Sequence, residues 1–196
     1  MKQLSELLLE FEKKIIATQS PILDKLQKGL EYSNARELLM YSNIVSNELS
    51  TLYNWRNGIY DKFMNSLIEE IELFPEGIMF SLQDALSRYE LYTETNHIWD
   101  KKLFPIFTNG GGDYLLLDIK DAGEGMILLY APSLLLSEEP ETIYDSLANL
   151  FETIVVCIEK GAYRYNLNST IEVDYNLKYE ISAKNNPKSK YWDDYR

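Results

Sequence analysis

Asp113 and Asp118 are two carboxylates five positions apart, the kind of pair that acid/base cleavage of a glycosidic bond would use. On an extended segment that spacing sends them to opposite faces, so they cannot share a substrate. Gly110-Gly-Gly-Asp113 offers backbone N–H groups to a phosphate, but no Lys-Ser/Thr follows, and the next residues read as a strand rather than a helix N-terminus. A hairpin turn explains these glycines better. Asp118, Asp121 and Glu124 crowd one loop and would supply oxygen ligands to Ca²⁺, yet their spacing is not that of an EF-hand, and solvated turn acids account for them as well. His97 has no partner at a diagnostic spacing. Cys157 lies in the apolar run Ile154–Ile158, whereas a nucleophilic thiol needs an exposed, electropositive setting. The residues therefore point to no enzyme, no cofactor and no metal site.

What remains is charge. The 196 residues carry a formal net charge of −12, and the imbalance is local: positions 59 to 152 hold 18 Asp/Glu against 5 Lys/Arg, a net of −13. Such a segment repels phosphate backbones, which are bound largely by Lys and Arg, and so argues against nucleic acid. It attracts a cationic partner, although acidity also serves solubility. Glu138, Glu139, Glu141 and Asp145 cluster around Pro140, where a helix is expected to start; capping and the helix dipole explain two or three of them. With Asp118, Asp121 and Glu124 they are the candidate partner-binding residues, and fifteen tyrosines add material that suits an interface. No apolar run approaches the roughly 18 residues of a membrane helix. The N-terminal segment has acids inside its apolar run, unlike a signal peptide, so the expected location is the cytoplasm.

The elements that position these residues are legible from their punctuation. Phe104–Phe107, Tyr114–Ile119 and Met126–Tyr130 read as three antiparallel strands joined by Gly-rich turns, with Asn109-Gly110 as the hairpin signal. Pro105 donates no N–H, so its strand should be an edge or begin after it. Tyr114–Leu117 is apolar without alternation and should be covered on both faces, one of them by a helix. Leu4, Leu7, Leu8, Phe11 and Ile15 predict a first helix to about Thr18; Ser20-Pro21 starts a short helix ending near Gly29, and Asn34 with Glu37 starts another. Ser46 to Asn57-Gly58 predicts a helix with a left-handed stop and Trp55 as its buried anchor. Ser81 with Asp84 caps a helix to about Tyr92, after a short strand at Ile78–Phe80. From Pro140, the stripe Ile143, Leu147, Leu150, Phe151, Ile154, Val155 and Ile158 predicts a long helix stopped by Gly161. Val173, Leu177 and Ile181 recur every four residues and suggest a last helix after an Asp174 cap, while Ile171-Glu-Val-Asp-Tyr175 also alternates like a strand; Tyr191-Trp192 is what could pin the polar tail beyond Lys184.

Three pieces fall in a recognisable order: Leu52-Tyr-Asn-Trp-Arg-Asn-Gly58, then Phe104-Pro-Ile-Phe-Thr-Asn-Gly-Gly-Gly-Asp-Tyr-Leu115 with Asp118, then the amphipathic segment Ile143–Cys157. This order resembles the SUKH superfamily, the group that includes the yeast cell-wall assembly regulator. Asn186-Pro-Lys-Ser-Lys-Tyr-Trp192 is similar to an ending seen in some bacterial members. The resemblance implies an α+β fold, a mixed and largely antiparallel sheet packed against helices. It implies one domain over 1–196, with a family-like core at about 34–162, a helical extension 1–33 and a Tyr-rich extension 163–196. The motif residues Trp55, Asn57, Gly58, Gly110, Gly111, Gly112, Asp113 and Tyr114 are expected to be structural. By the same resemblance, the expected role is that of an immunity protein that binds and neutralises a cognate toxin, a basic nuclease or deaminase domain. A regulatory or scaffold module binding an endogenous protein is the other reading.

Overall fold

The computed structural model describes residues 2–63, 65–119, 125–137 and 139–195. The architecture is α+β. Leu7, Leu8, Phe11 and Ile15 recur at helical spacing and are buried along one face of α1 (Leu4–Thr18). Pro21–Lys25 makes a 3₁₀ turn, but the chain then extends as β1 (Leu26–Lys28) rather than staying helical to Gly29. The next helix, α2 (Tyr32–Tyr41), starts after Glu31, ahead of the expected Asn34. Ser46 caps α3 (Asn47–Trp55) by accepting the Leu49 N–H at 3.2 Å. Asn57-Gly58 is not the helix stop it resembles: Arg56–Ile59 forms β2, antiparallel to β1 with Leu26 opposite Ile59. Pairing with a distant segment overrides the local stop signal here.

The main sheet comprises β3 (Ile78–Met79), β4 (Leu103–Thr108), β5 (Tyr114–Asp118), β6 (Ile127–Tyr130) and β7 (Glu141–Tyr144), neighbours in that order. Each of these pairings is antiparallel. Between β3 and β4 lies α4 (Leu82–Glu90), capped by Ser81 accepting the Asp84 N–H at 3.1 Å and running on into a π-helical turn, Leu91–Thr95. Pro105 lies within β4, an interior strand, against the sequence expectation. It is tolerated because β3 pairs only with Phe107 and Thr108, and the register to β5 shifts between Pro105 and Phe107.

Two faces follow from the register. Phe107, Leu115 and Leu129 lie side by side on one face, where Phe107 meets Phe151 at 6.5 Å between ring centroids. Phe151 belongs to α6 (Leu147–Lys160), which follows the four-residue α5 (Pro132–Leu135) and β7. On its far side α6 packs against α1, with Phe11 5.8 Å from Phe151. Tyr114 and Tyr130 lie on the opposite face with Trp99, whose ring stacks on Tyr92 at 4.2 Å. The strand β5 is therefore covered twice, and Leu116 and Leu117 are fully buried.

The helix expected from Pro140 begins later. Glu141–Tyr144 pairs with β6 as β7, and Ser146 is the true cap, accepting the Asn149 N–H at 3.0 Å. Ile143, read as the start of the helical stripe, is a strand residue. After Gly161 (φ +77) come β8 (Tyr163–Tyr165), β9 (Ile171–Val173) and α7 (Tyr175–Asn185), the last capped by Asp174. The segment beyond α7 runs along the outer edge of β7. Asn186 accepts the Asp145 N–H at 3.1 Å, Ser189 donates to the Thr142 carbonyl at 2.8 Å and Trp192 to the Ile143 carbonyl at 2.6 Å. Side chains thus occupy backbone groups that an open edge would leave for another strand.

Candidate binding cleft and acidic surface

The residues of the two conspicuous motifs are consumed by the fold. In the Gly-rich turn Asn109 Oδ1 accepts the N–H groups of Gly111 (2.7 Å) and Asp113 (3.1 Å), and Asn109 Nδ2 donates to the Asp113 carboxylate at 2.7 Å. Thr108 Oγ1 accepts the Gly110 N–H at 3.1 Å. These N–H groups already have acceptors, which removes the cradle a phosphate would need. Trp55 is half-buried, edge-on to Phe11 and Phe151 at 6.0 and 5.9 Å, and its Nε1 donates to Glu12 at 3.3 Å. Arg56 pairs with the same Glu12 carboxylate. Asn57 is buried and accepts the Leu82 N–H at 3.0 Å, so β2 caps α4 from outside. Gly58 lies against the backbone of Phe80 and Ser81. Trp55, Asn57 and Gly58 join the helical layer to the start of the sheet, while Gly110, Gly111, Gly112, Asp113 and Tyr114 turn the central hairpin.

Among the described residues, the acidic candidates do not form one patch. Asp118 ends β5 opposite Leu103, at one end of the sheet; Glu141 pairs with Leu129 toward the other end, level with the Leu115–Leu129 pair. Three residues of strand separate the two levels, roughly 10 Å. Glu139 is exposed near Glu141. Asp145 is 9% exposed, and both its oxygens accept the Lys188 N–H at 3.2 Å. It is part of the tail's attachment, a correction to its reading as a surface contact, and it lies before α6 rather than in a first helical turn. Asp121, Glu124 and Glu138 fall outside the described residues. Among the described residues no group of three or more His, Cys, Asp or Glu could hold a metal ion, and no helix is long and apolar enough to cross a membrane.

Sequence reasoning missed a cleft of about 270 Å³ at the Tyr114 end of the sheet. Leu115, Leu129 and Ile143 line it from the sheet, Tyr179, Tyr191 and Trp192 from the C-terminal layer, and the Phe74-Pro75-Glu76 turn and Asp113 complete it. The hydroxyls of Tyr179 and Tyr191 are pushed up from their ordinary pKa, first by burial; Glu76 acts on both and Glu141 on Tyr191 in the same direction. Glu76 and Glu141 are therefore close enough to the cleft to charge its surroundings. The Tyr-rich segment after Gly161 was the available signal, but no spacing links it to Phe74 or Leu129.

Glu76 also has an unusual backbone. Its turn is closed by the Gly77 N–H donating to the Phe74 carbonyl at 2.8 Å, and Glu76 holds φ +68, a conformation that glycine adopts at little cost. Its amide donates to Glu72 Oε1 at 3.0 Å. Glu76→Gly is expected to stabilise the fold by up to about 1 kcal/mol, relief of strain being partly offset by the entropy of the unfolded chain. Urea unfolding checks this, and a loss of stability would show that the side chain, not the backbone, holds the turn.

His97 Nδ1 lies 3.0 Å from the Thr93 carbonyl oxygen. Cys157 is buried, and burial pushes its thiol up to about 12, far from a reactive thiolate.

Compared with known proteins, residues 36–154 match the family described as SMI1 / KNR4 family (SUKH-1), a span that includes both motifs and the first part of α6. No curated protein matches the chain.

Proposed function

This chain belongs to the SMI1/KNR4 family (SUKH-1), and from that membership we propose that it is a cytoplasmic immunity-type protein that neutralises a cognate toxin by binding and covering it. The observation that carries the reading is an aromatic-lined cleft flanked by Glu76 and Glu141, two carboxylates of the segment 59–152 whose net charge is −13. Tyrosine and tryptophan supply contact area with few rotatable bonds, and surrounding carboxylates steer a basic domain toward it. The toxin is a basic nuclease or deaminase domain. No bond is made or broken by this chain; covering about 800 Å² of the toxin, an ordinary interface, is enough to block its active site or the approach to it.

Co-expression with the toxin encoded beside its gene is expected to protect the cell, and the purified pair to associate several-fold more slowly when salt is raised from low to physiological concentration. No protection and no complex would end this reading. A second reading, a regulatory module binding an endogenous protein, is favoured by the outer face of α2, where Tyr32, Met40 and Tyr41 are 40%, 54% and 76% exposed. Binding that ignores salt and is lost on Tyr41→Ala would select it.

A further inference from the structure

Lys178 is a charged residue in an interior position. On α7 it shares the buried face with Ile181 and Ser182 and is only 5% exposed. Its ammonium lies 5.6 and 5.7 Å from the ring centroids of Tyr175 and Tyr179 and, among the described residues, has no hydrogen-bond acceptor and no carboxylate within ion-pair distance. Glu72, half-buried, feels its charge only from farther away. Lys178 lines the cleft, and so does Tyr144, also 5% exposed. Burial pushes the Tyr144 hydroxyl well above its ordinary pKa, so it stays a phenol and a donor, and it has no hydrogen-bond partner among the described residues. Two donors, one of them charged, thus line one cleft with no protein acceptor among the described residues, which leaves both able to take an acceptor from a ligand.

We infer that the cleft is a binding site for a carboxylate carried on an apolar or aromatic body, either a free organic acid or the C-terminal residue of a polypeptide. A carboxylate offers lone pairs to the Lys178 ammonium and the Tyr144 hydroxyl together. Leu115, Leu129 and Ile143 receive the apolar part. A single negative charge suits the site better than phosphate, because Glu76 and Asp113 also line the cleft and repel a more highly charged anion. The site does not depend on the identity of the macromolecular partner.

Calorimetric titration of the full chain tests this with three probes: 3-phenylpropionate, a pentapeptide ending in a free C-terminal phenylalanine, and the same peptide as its C-terminal amide. Saturable binding of at least one carboxylate is expected, with the amide at least about tenfold weaker. Binding of the peptide alone identifies a polypeptide terminus as the source, and binding of phenylpropionate admits a free acid. Lys178→Met is expected to weaken binding by about tenfold or more while changing the melting temperature little, since it keeps the apolar stem and breaks no ion pair or hydrogen bond of the described residues. Tyr144→Phe, which deletes one oxygen, is expected to weaken binding several-fold and covers the case in which the first variant fails to fold. The inference is overturned if neither carboxylate binds at about 10 mM, if the amide binds as well as the acid, or if Tyr144→Phe and a folded Lys178→Met both bind like the parent.

Discussion

Gly58→Ala is expected to cost at least about 3 kcal/mol and, in a domain of ordinary stability, to leave little folded protein. An alanine Cβ at this position would lie 2.3 Å from the Ser81 nitrogen and 2.4 and 2.5 Å from the Phe80 carbonyl carbon and oxygen. All three are backbone atoms fixed by the start of α4, so the clash cannot be relieved by turning a side chain. The backbone adds its own penalty, since Gly58 holds φ +76. Gly112→Ala separates the two causes: φ there is +107, but a Cβ would meet nothing within 4 Å. Its loss should be confined to backbone strain, about 1–3 kcal/mol. Urea unfolding of both variants decides the matter; equal losses would mean that the contact with Phe80 and Ser81 is unimportant.

Trp192→Ala is expected to cost about 3–5 kcal/mol, the range for truncating a buried tryptophan. The side chain is 3% exposed, packs near Tyr144 and Tyr179 at 6.1 and 5.9 Å, and donates to the Ile143 carbonyl. Its loss opens a cavity and releases the segment that covers the β7 edge, so oligomers should appear with rising concentration in light scattering. Trp192→Phe keeps most of the packing and loses the hydrogen bond, and should cost markedly less. A truncation that leaves stability intact would show that Asn186 and Ser189 hold the segment by themselves.

The sequence makes legible those elements whose signals are local. The Gly-rich hairpin, the three central strands, the Ser46, Ser81 and Asp174 caps and the Gly161 stop depend on neighbours a few residues away, and all form. Departures occur where a distant segment decides. Asn57-Gly58 looks like a helix stop, but β1 offers Arg56–Ile59 a pairing partner. Pro140 looks like a helix start, but Thr142–Tyr144 is drawn into the sheet by β6. Pro105 is acceptable inside a sheet only because the strand beside it is two residues long. Asp118 and Glu141 carry the same kind of charge near the same turns in sequence, but the antiparallel register sets them at different levels of the sheet. The cleft is illegible for the same reason: stretches far apart in the chain, from Phe74 to Trp192, build it. Lys178 could be read as an ordinary solvated lysine, because the stripe Val173, Leu177, Ile181 predicts a different buried face.

The contact between Phe11 and Phe151 has a kinetic implication. Helix α1 leaves the ribosome long before α6 (Leu147–Lys160), which completes the surface it rests on. At ordinary translation speeds that interval is on the order of ten seconds. During that interval Phe11 can meet Trp55 of α3 but not Phe151, so the apolar face of α1 is only partly covered, which makes the nascent α1 a natural client for chaperones and its final docking a late event in folding.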